Sequence, residues 1–200
     1  MHYAAYGKFV KAIISTLPLL YMMEGVILEV WDIYDSNRNK TGKIMERGAA
    51  FADGEYHMVV HVCIFSARGE MLIQQRQPFK EGWANMWDIT VGGSAQSGEA
   101  SQSAAQRELF EEIGYKIDLS DVRPSLTVNF EVGFDDYYLI EEDLEIEKLQ
   151  LQYEEVQRVK WASQKEITRL LDSGEFIPYY RNLLGLLFDM RKRYSAHSRG

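Results

Sequence analysis

Glu108, Glu111 and Glu112 are spaced i, i+3 and i+4, which on a helix makes them surface neighbours. At about 100° per residue the three carboxylates share an arc of roughly 100°. Ala105, Leu109, Phe110 and Ile113 fill the adjoining arc and are expected to face a core. Like charges at this spacing repel by a few tenths of a kcal/mol per pair even when solvated. Arg107 is the nearby cation, one turn before Glu111 and placed to pair with it. A divalent ion relieves such crowding, and hard oxygen ligands suit Mg²⁺ or Mn²⁺, whose remaining positions a substrate's phosphates can fill. Glu99 adds a fourth acid before the helix, and Gly92-Gly93 allows close backbone approach, so that a main-chain carbonyl can join the coordination. On periodicity alone, a solvated acidic helix face accounts for the same residues.

Other residues carry weaker signals, each open to two readings. His57 and His61 are four apart, but in an alternating, strand-like segment that spacing suits core or pocket-lining imidazoles better than a metal pair. Arg76 and Lys80 either meet substrate phosphates or are surface charge. Trp83, Trp87 and Tyr137 either stack a flat group or pack; Trp87 is weighted to the core and Trp83 left open. Cys63 lies in an apolar run from Val59 to Phe65, so it reads as a packed, inert thiol.

These residues need elements to position them. Strands are expected at residues 24–31, 43–47, 56–65, 70–75, 87–91, 126–134, 136–140 and 156–161, separated by turn-rich stretches. The fifth of these is expected to end at Gly92-Gly93. The period then changes: residues 100–113 are rich in helix formers and stop at Gly114, a left-handed C-cap. Ser163 to Glu166 is a capping-box pattern before a helix ending at Gly174. A last, Leu-rich helix follows Pro178 and ends in basic residues. The acidic stretch 131–147 reads as a solvated hairpin. With no repeat and no linker, the order describes one α+β domain with a mixed sheet. Its expected span is 24–194, between an apolar extension at 1–23, with Met22 or Met23 as an alternative start, and a tail at 195–200.

Composition sets the outer limits. The chain has 200 residues, 46% of them hydrophobic and 26% charged, with a net charge of −8, so it can bury a core and stay dissolved. That charge argues against a nucleic-acid partner held by bulk attraction. One cysteine cannot form an internal disulfide, and a reducing cytoplasm fits. The apolar run 12–23 contains Pro18 and is too short to span a bilayer. Together with the Leu-rich last helix it suits a homodimer.

Spacing then narrows the chemistry. Gly93, five residues, Glu99, seven residues, Arg107-Glu108-Leu109, Glu111-Glu112 and Gly114 resemble the Nudix box at eight positions, with Tyr115 departing where the family has an aliphatic residue. The resemblance implies an α/β/α sandwich with a loop–helix–loop catalytic motif. It also implies a Mg²⁺- or Mn²⁺-dependent pyrophosphohydrolase acting on a small diphosphate compound, such as a nucleoside diphosphate derivative. It assigns Glu108, Glu111 and Glu112 as metal ligands with the Gly93 carbonyl, Glu99 as assisting metal or water, and Arg107 as orienting a carboxylate. The general base varies in the family and often lies outside the box; Glu154 and Glu155 are the candidates here, with an exposed acidic loop as the competing account. Arg76, Trp83 and Glu155 are the candidate substrate contacts.

A narrower likeness runs through Trp31 to Asp35, Thr41-Gly42, Arg47-Gly48, His57, His61, Gln74 to Arg76 and Trp87-Asp88. It points to the branch related to isopentenyl diphosphate isomerase. That isomerase needs a cysteine where this chain has Gly92 and a histidine shortly after, where this chain has Ser94. Isomerisation therefore lacks its acid, whereas hydrolysis has its full box. A non-catalytic nucleotide-binding module is the other alternative, against which the retained carboxylates count.

Overall fold

The computed structural model describes residues 21–23, 26–192 and 197; most of the apolar extension and of the tail lies outside them. Two short antiparallel pairs come first, β1 (Tyr21–Met23) with β2 (Val26–Leu28) and β3 (Val30–Tyr34) with β4 (Lys40–Glu46). The central sheet follows: β5 (His57–Phe65), β6 (Met71–Arg76), then short β7 (Trp87–Asp88) and β8 (Val91–Ser94). After α1 (Ser101–Ile113) come β9 (Leu126–Phe130), β10 (Gly133–Glu141) and β11 (Val156–Ala162), and α2 (Gln164–Asp172) and α3 (Arg181–Met190) close the chain. The sheet order is β11-β6-β5-β10-β9, with β10 parallel to β5 and its other pairings antiparallel.

The strand period of two splits the core between two faces. Val60, Val62 and Ile64 of β5 pack with Ala104, Ala105, Leu109 and Ile113 of α1. Cys63 and Phe65 point the other way, toward Ile167 and Leu170 of α2 and Leu184, Leu187 and Phe188 of α3. Burial on both faces explains why β5 reads as a near-continuous apolar run. The result is an α/β/α sandwich, and burial raises the Cys63 thiol far above its usual range, consistent with an inert side chain.

The sheet forks where the site lies. β5 and β6 pair directly only through Phe65 and Met71. Beyond that point β8 pairs with β5 and β7 with β6. Thr90 sits between the two short strands, fully buried. Its Oγ1 accepts from Ile64 N at 2.9 Å and donates to the Leu72 carbonyl at 2.5 Å, so one hydroxyl satisfies backbone groups on both arms of the fork. The expected single strand at 87–91 is therefore two, and the second runs through Gly92-Gly93 instead of ending there. The strand expected at 24–31 is also broken, at Glu29, and resumes to Tyr34. The region 131–147 departs further from expectation: Phe134, Tyr137, Tyr138 and Leu139 are buried on β10, an interior strand rather than a solvated hairpin.

One carboxylate ties the front of α1 to the sheet. Asp136 on β10 is completely buried. It accepts from Arg38 Nη1 and Nη2 at 3.0 and 2.7 Å, from Ser101 Oγ at 2.7 Å and from Thr127 Oγ1 at 2.6 Å. Asp136→Ala would strand these donors, so a loss of about 3 kcal/mol is expected, read as a lower midpoint in urea unfolding. An unchanged midpoint would show that the cluster adds nothing to stability.

Candidate active site

The loop entering α1 is held by Asp32, whose carboxylate accepts from Ser97 Oγ at 2.8 Å and Gly98 N at 2.9 Å. Gly114 ends the helix in the left-handed conformation (φ 70°), which only glycine adopts without cost. Between these two anchors the acidic face of α1 turns toward the fork. Glu112 is buried and Glu108 nearly so, whereas the Glu111 side chain stays 46% exposed. Phe110, expected in the core, is exposed instead. The inward arc is thus Leu109, Glu112, Ile113 and Glu108, and a carboxylate takes a place that simple amphipathicity gives to an apolar side chain.

Arg107 organises the acids. Nε and Nη2 donate to the two oxygens of Glu99 at 2.8 and 3.0 Å, Nη1 donates to Glu108 Oε1 at 2.8 Å and to Glu111 Oε2 at 2.9 Å, and Nη2 also reaches the Ser94 carbonyl at 3.1 Å. Its rigid fork of donors suits this, and a lysine could not reproduce it. Glu112 Oε2 accepts from Gln74 Nε2 at 2.8 Å, while Gln74 Oε1 is buried with no partner. Gly93 lies directly against Glu108: a Cβ there would stand 2.1 Å from Glu108 Oε1. The bare backbone is what lets that carboxylate lie against β8.

The charges are uncomfortable. Burial raises Glu108 to about 7, with Glu111 adding to the rise and Arg107 opposing it. Burial and the neighbouring Glu108 lift Glu112 well above the usual carboxylate range, against the Gln74 hydrogen bond. Asp88, also buried, is raised by desolvation despite its 2.9 Å hydrogen bond from Tyr179 Oη. Among the described residues no three acidic or imidazole side chains already stand at metal-holding geometry. Arg107 Nη1 lies between Glu108 and Glu111, where a cation shared by those two acids would compete with it. The donor set is nevertheless all oxygen, and the Gly93 cradle admits a carboxylate beside a main-chain carbonyl, so the residues fit a hard divalent ion.

A pocket of about 280 Å³ opens over this cluster. Of the residues singled out from sequence, it gathers His61, Arg76, Lys80, Gly92, Gly93, Arg107, Glu108, Glu111, Glu112 and Glu155. Lys80 Nζ and Glu155 Oε1 form a 2.6 Å ion pair on its rim. Glu99 stands one step behind, on Arg107. Trp83 is not among the lining residues; it is 53% exposed on the loop after β6. Trp87 is core, with Lys160 Nζ 4.5 Å from its ring centroid, and Tyr137 is buried beneath His61, with ring centroids 4.6 Å apart. Glu154 is exposed. Sequence reasoning missed Glu29, Gln96 and Gln152, and took Arg47 and Asp88 only as part of a likeness, although all five line the pocket. Two of them left a signal: Glu29 interrupts an apolar run and Asp88 separates two buried apolar residues.

Gly92 bears on the isomerase alternative. A Cβ at this position would stand 2.8 Å from His61 Nδ1, a buried atom with no hydrogen-bond partner. Any side chain at 92, a cysteine included, requires His61 to move.

Comparison with known proteins agrees with this geometry. The NUDIX domain profile matches residues 55–182. An uncharacterized Nudix hydrolase of Listeria monocytogenes is 47% identical over 170 residues, covering 85% of this chain and 99% of its own. An isopentenyl-diphosphate Delta-isomerase of Pectobacterium atrosepticum is 34% identical over 112 residues, covering 56% of this chain and 60% of its own. A crystal structure from Deinococcus radiodurans superposes with a TM-score of 0.63 at 21% identity, over 80% of this chain and 97% of that one, which supports the fold. The profile spans most of the chain and includes the whole acid cluster, and a relative close to half identical matches over nearly its own full length: this protein belongs to the Nudix family, as a Nudix-type hydrolase.

Proposed function

We propose that the protein hydrolyses the pyrophosphate linkage of a small nucleoside diphosphate derivative or related diphosphate compound, using Mg²⁺ or Mn²⁺. The observation that carries this reading is the burial of Glu108 and Glu112 under a pocket whose lining also includes Arg47, Arg76 and Lys80. Carboxylates placed there are costly to keep charged without a cation, and the basic side chains suit an anionic substrate. Glu108, Glu111, Glu112 and the Gly93 carbonyl would hold the metal, which when bound neutralises diphosphate charge and acidifies the attacking water. Arg107 keeps Glu108 and Glu111 aimed, and Glu99 fixes Arg107 in turn. Arg76 and Lys80 bind phosphate oxygens. Glu155 accepts the proton of the attacking water once a phosphate draws Lys80 away from it.

The catalytic unit is taken as residues 24–194. Among the described residues no helix is long and apolar enough to cross a membrane, and a cytoplasmic setting suits the lone thiol. The test is a panel of nucleoside diphosphate compounds and simple organic diphosphates, incubated with Mg²⁺, with Mn²⁺ or with chelator, and phosphate or monophosphate release measured. Metal-dependent release from at least one compound is expected; no release from any of them with either metal would overturn the reading.

A further inference from the structure

A second cavity, of about 910 Å³, lies between the front of α1, the loop entering β9 and the end of α3. It shares no lining residue with the pocket over Glu108 and Glu112. Its walls are of two kinds. Leu126 of β9 and Leu186 and Met190 of α3 are apolar, and Leu186 is left 40% exposed. The other lining side chains include three cations, Arg38, Lys40 and Arg123. Arg38 is held by Asp136 at 2.7 Å and Lys40 by Asp32 at 2.6 Å. Arg123 is exposed and forms no ion pair or hydrogen bond with a described residue. The cavity thus keeps one uncompensated positive charge beside an apolar wall, on a chain whose net charge is −8.

Tyr34, which also lines the cavity, is only 4% exposed. Its ring meets Phe134 edge-on, with centroids 6.4 Å apart, yet its hydroxyl has no hydrogen-bond partner among the described residues. Unlike Gln74 Oε1, that hydroxyl is not sealed in by its neighbours, so its opening is to the cavity. A tyrosine buried this deeply ordinarily gives its hydroxyl a partner, and here the protein supplies none.

We propose that this cavity is a second ligand site, which takes a small aliphatic carboxylate. Tyr34 Oη donates to the carboxylate, Arg123 pairs with it, and the alkyl chain lies along Leu126, Leu186 and Met190. A single unpaired cation suits a monoanion, and a carboxylate accepts hydrogen bonds from a hydroxyl and a guanidinium together. Removing the alkyl chain from water adds to the affinity. The site is independent of the hydrolase reading, because none of its residues touches the acid cluster.

Calorimetry on the full chain tests this with octanoate as the probe. Acetate serves as the head group alone, and octyltrimethylammonium as the same alkyl chain with the opposite charge. Octanoate should bind saturably, one per chain, and both controls at least about ten-fold more weakly. Tyr34→Phe and Arg123→Gln should each weaken octanoate binding about five-fold or more while keeping the wild-type midpoint in urea. Glu112→Gln, in the other pocket, should leave the octanoate Kd unchanged. The site is overturned by any of three results: no saturable octanoate binding, equal affinity for either control, or unchanged affinity in either folded variant. Loss of binding in Glu112→Gln would overturn it too, by placing the carboxylate at the acid cluster. Arg123 is exposed, so Arg123→Gln decides the matter if Tyr34→Phe does not fold.

Discussion

Replacing Glu112 by glutamine should leave a folded protein with turnover lowered at least about a thousand-fold. The change removes one charge and almost no volume. Glu112 is buried and its Oε2 accepts from Gln74 Nε2; Gln74 Oε1, now unpartnered, can turn to accept from the new amide. Stability should therefore hold or rise, because a carboxyl that burial and Glu108 make reluctant to ionise is replaced by a neutral group. The measurement is kcat under saturating Mg²⁺ beside a urea unfolding curve. Turnover above about a tenth of wild type would remove Glu112 from the metal-binding role proposed for it.

Gly93→Ala should have the next largest effect, a loss of about a hundred-fold or more, again without unfolding. The added methyl would stand 2.1 Å from Glu108 Oε1. The atoms in its way are the end of a flexible side chain, so the carboxylate swings aside at small cost to the fold. A displacement of that order at a reacting centre is expected to cost about a hundred-fold in rate. The discriminating pair of measurements is activity and thermal midpoint: activity near wild type would show that Glu108 works equally well from another position. A large fall in the midpoint would instead identify Gly93 as a packing requirement.

Much of the site was legible because its parts are local. The spacing from Gly93 to Gly114 carries the loop, the helix, its left-handed stop and all four box acids within one short segment, and helix geometry alone places Glu108, Glu111 and Glu112 together. The same reasoning misjudged which side chains turn inward. Phe110 shares the apolar stripe with Leu109 but lies outside, whereas Glu112 is buried; the need to bring a carboxylate to the pocket outweighs hydrophobic sorting at that turn. The rest of the pocket was illegible because it is assembled across the sequence. Glu29, Arg47, Asp88 and Gln152 meet only through strand pairing and the fork, and no local period records that. Thr90 illustrates the point: in sequence it is an ordinary strand residue, in the fold the peg that separates β5 from β6. The acidic stretch 131–147 misled for the opposite reason, since its many acids, Asp135 and the buried Asp136 among them, mask the core side chains Phe134, Tyr137, Tyr138 and Leu139.

The pairing of β6 with β11 joins Met71 to Ala162 and Arg76 to Val156. During synthesis, the ribosome delivers Leu72 and Ile73 long before the strand that will cover their edge. Over that interval the nascent chain carries an open row of amides and carbonyls flanked by apolar side chains, a template for intermolecular strand addition. A chain released before Val156 is therefore expected to associate through that edge rather than to act as a smaller enzyme.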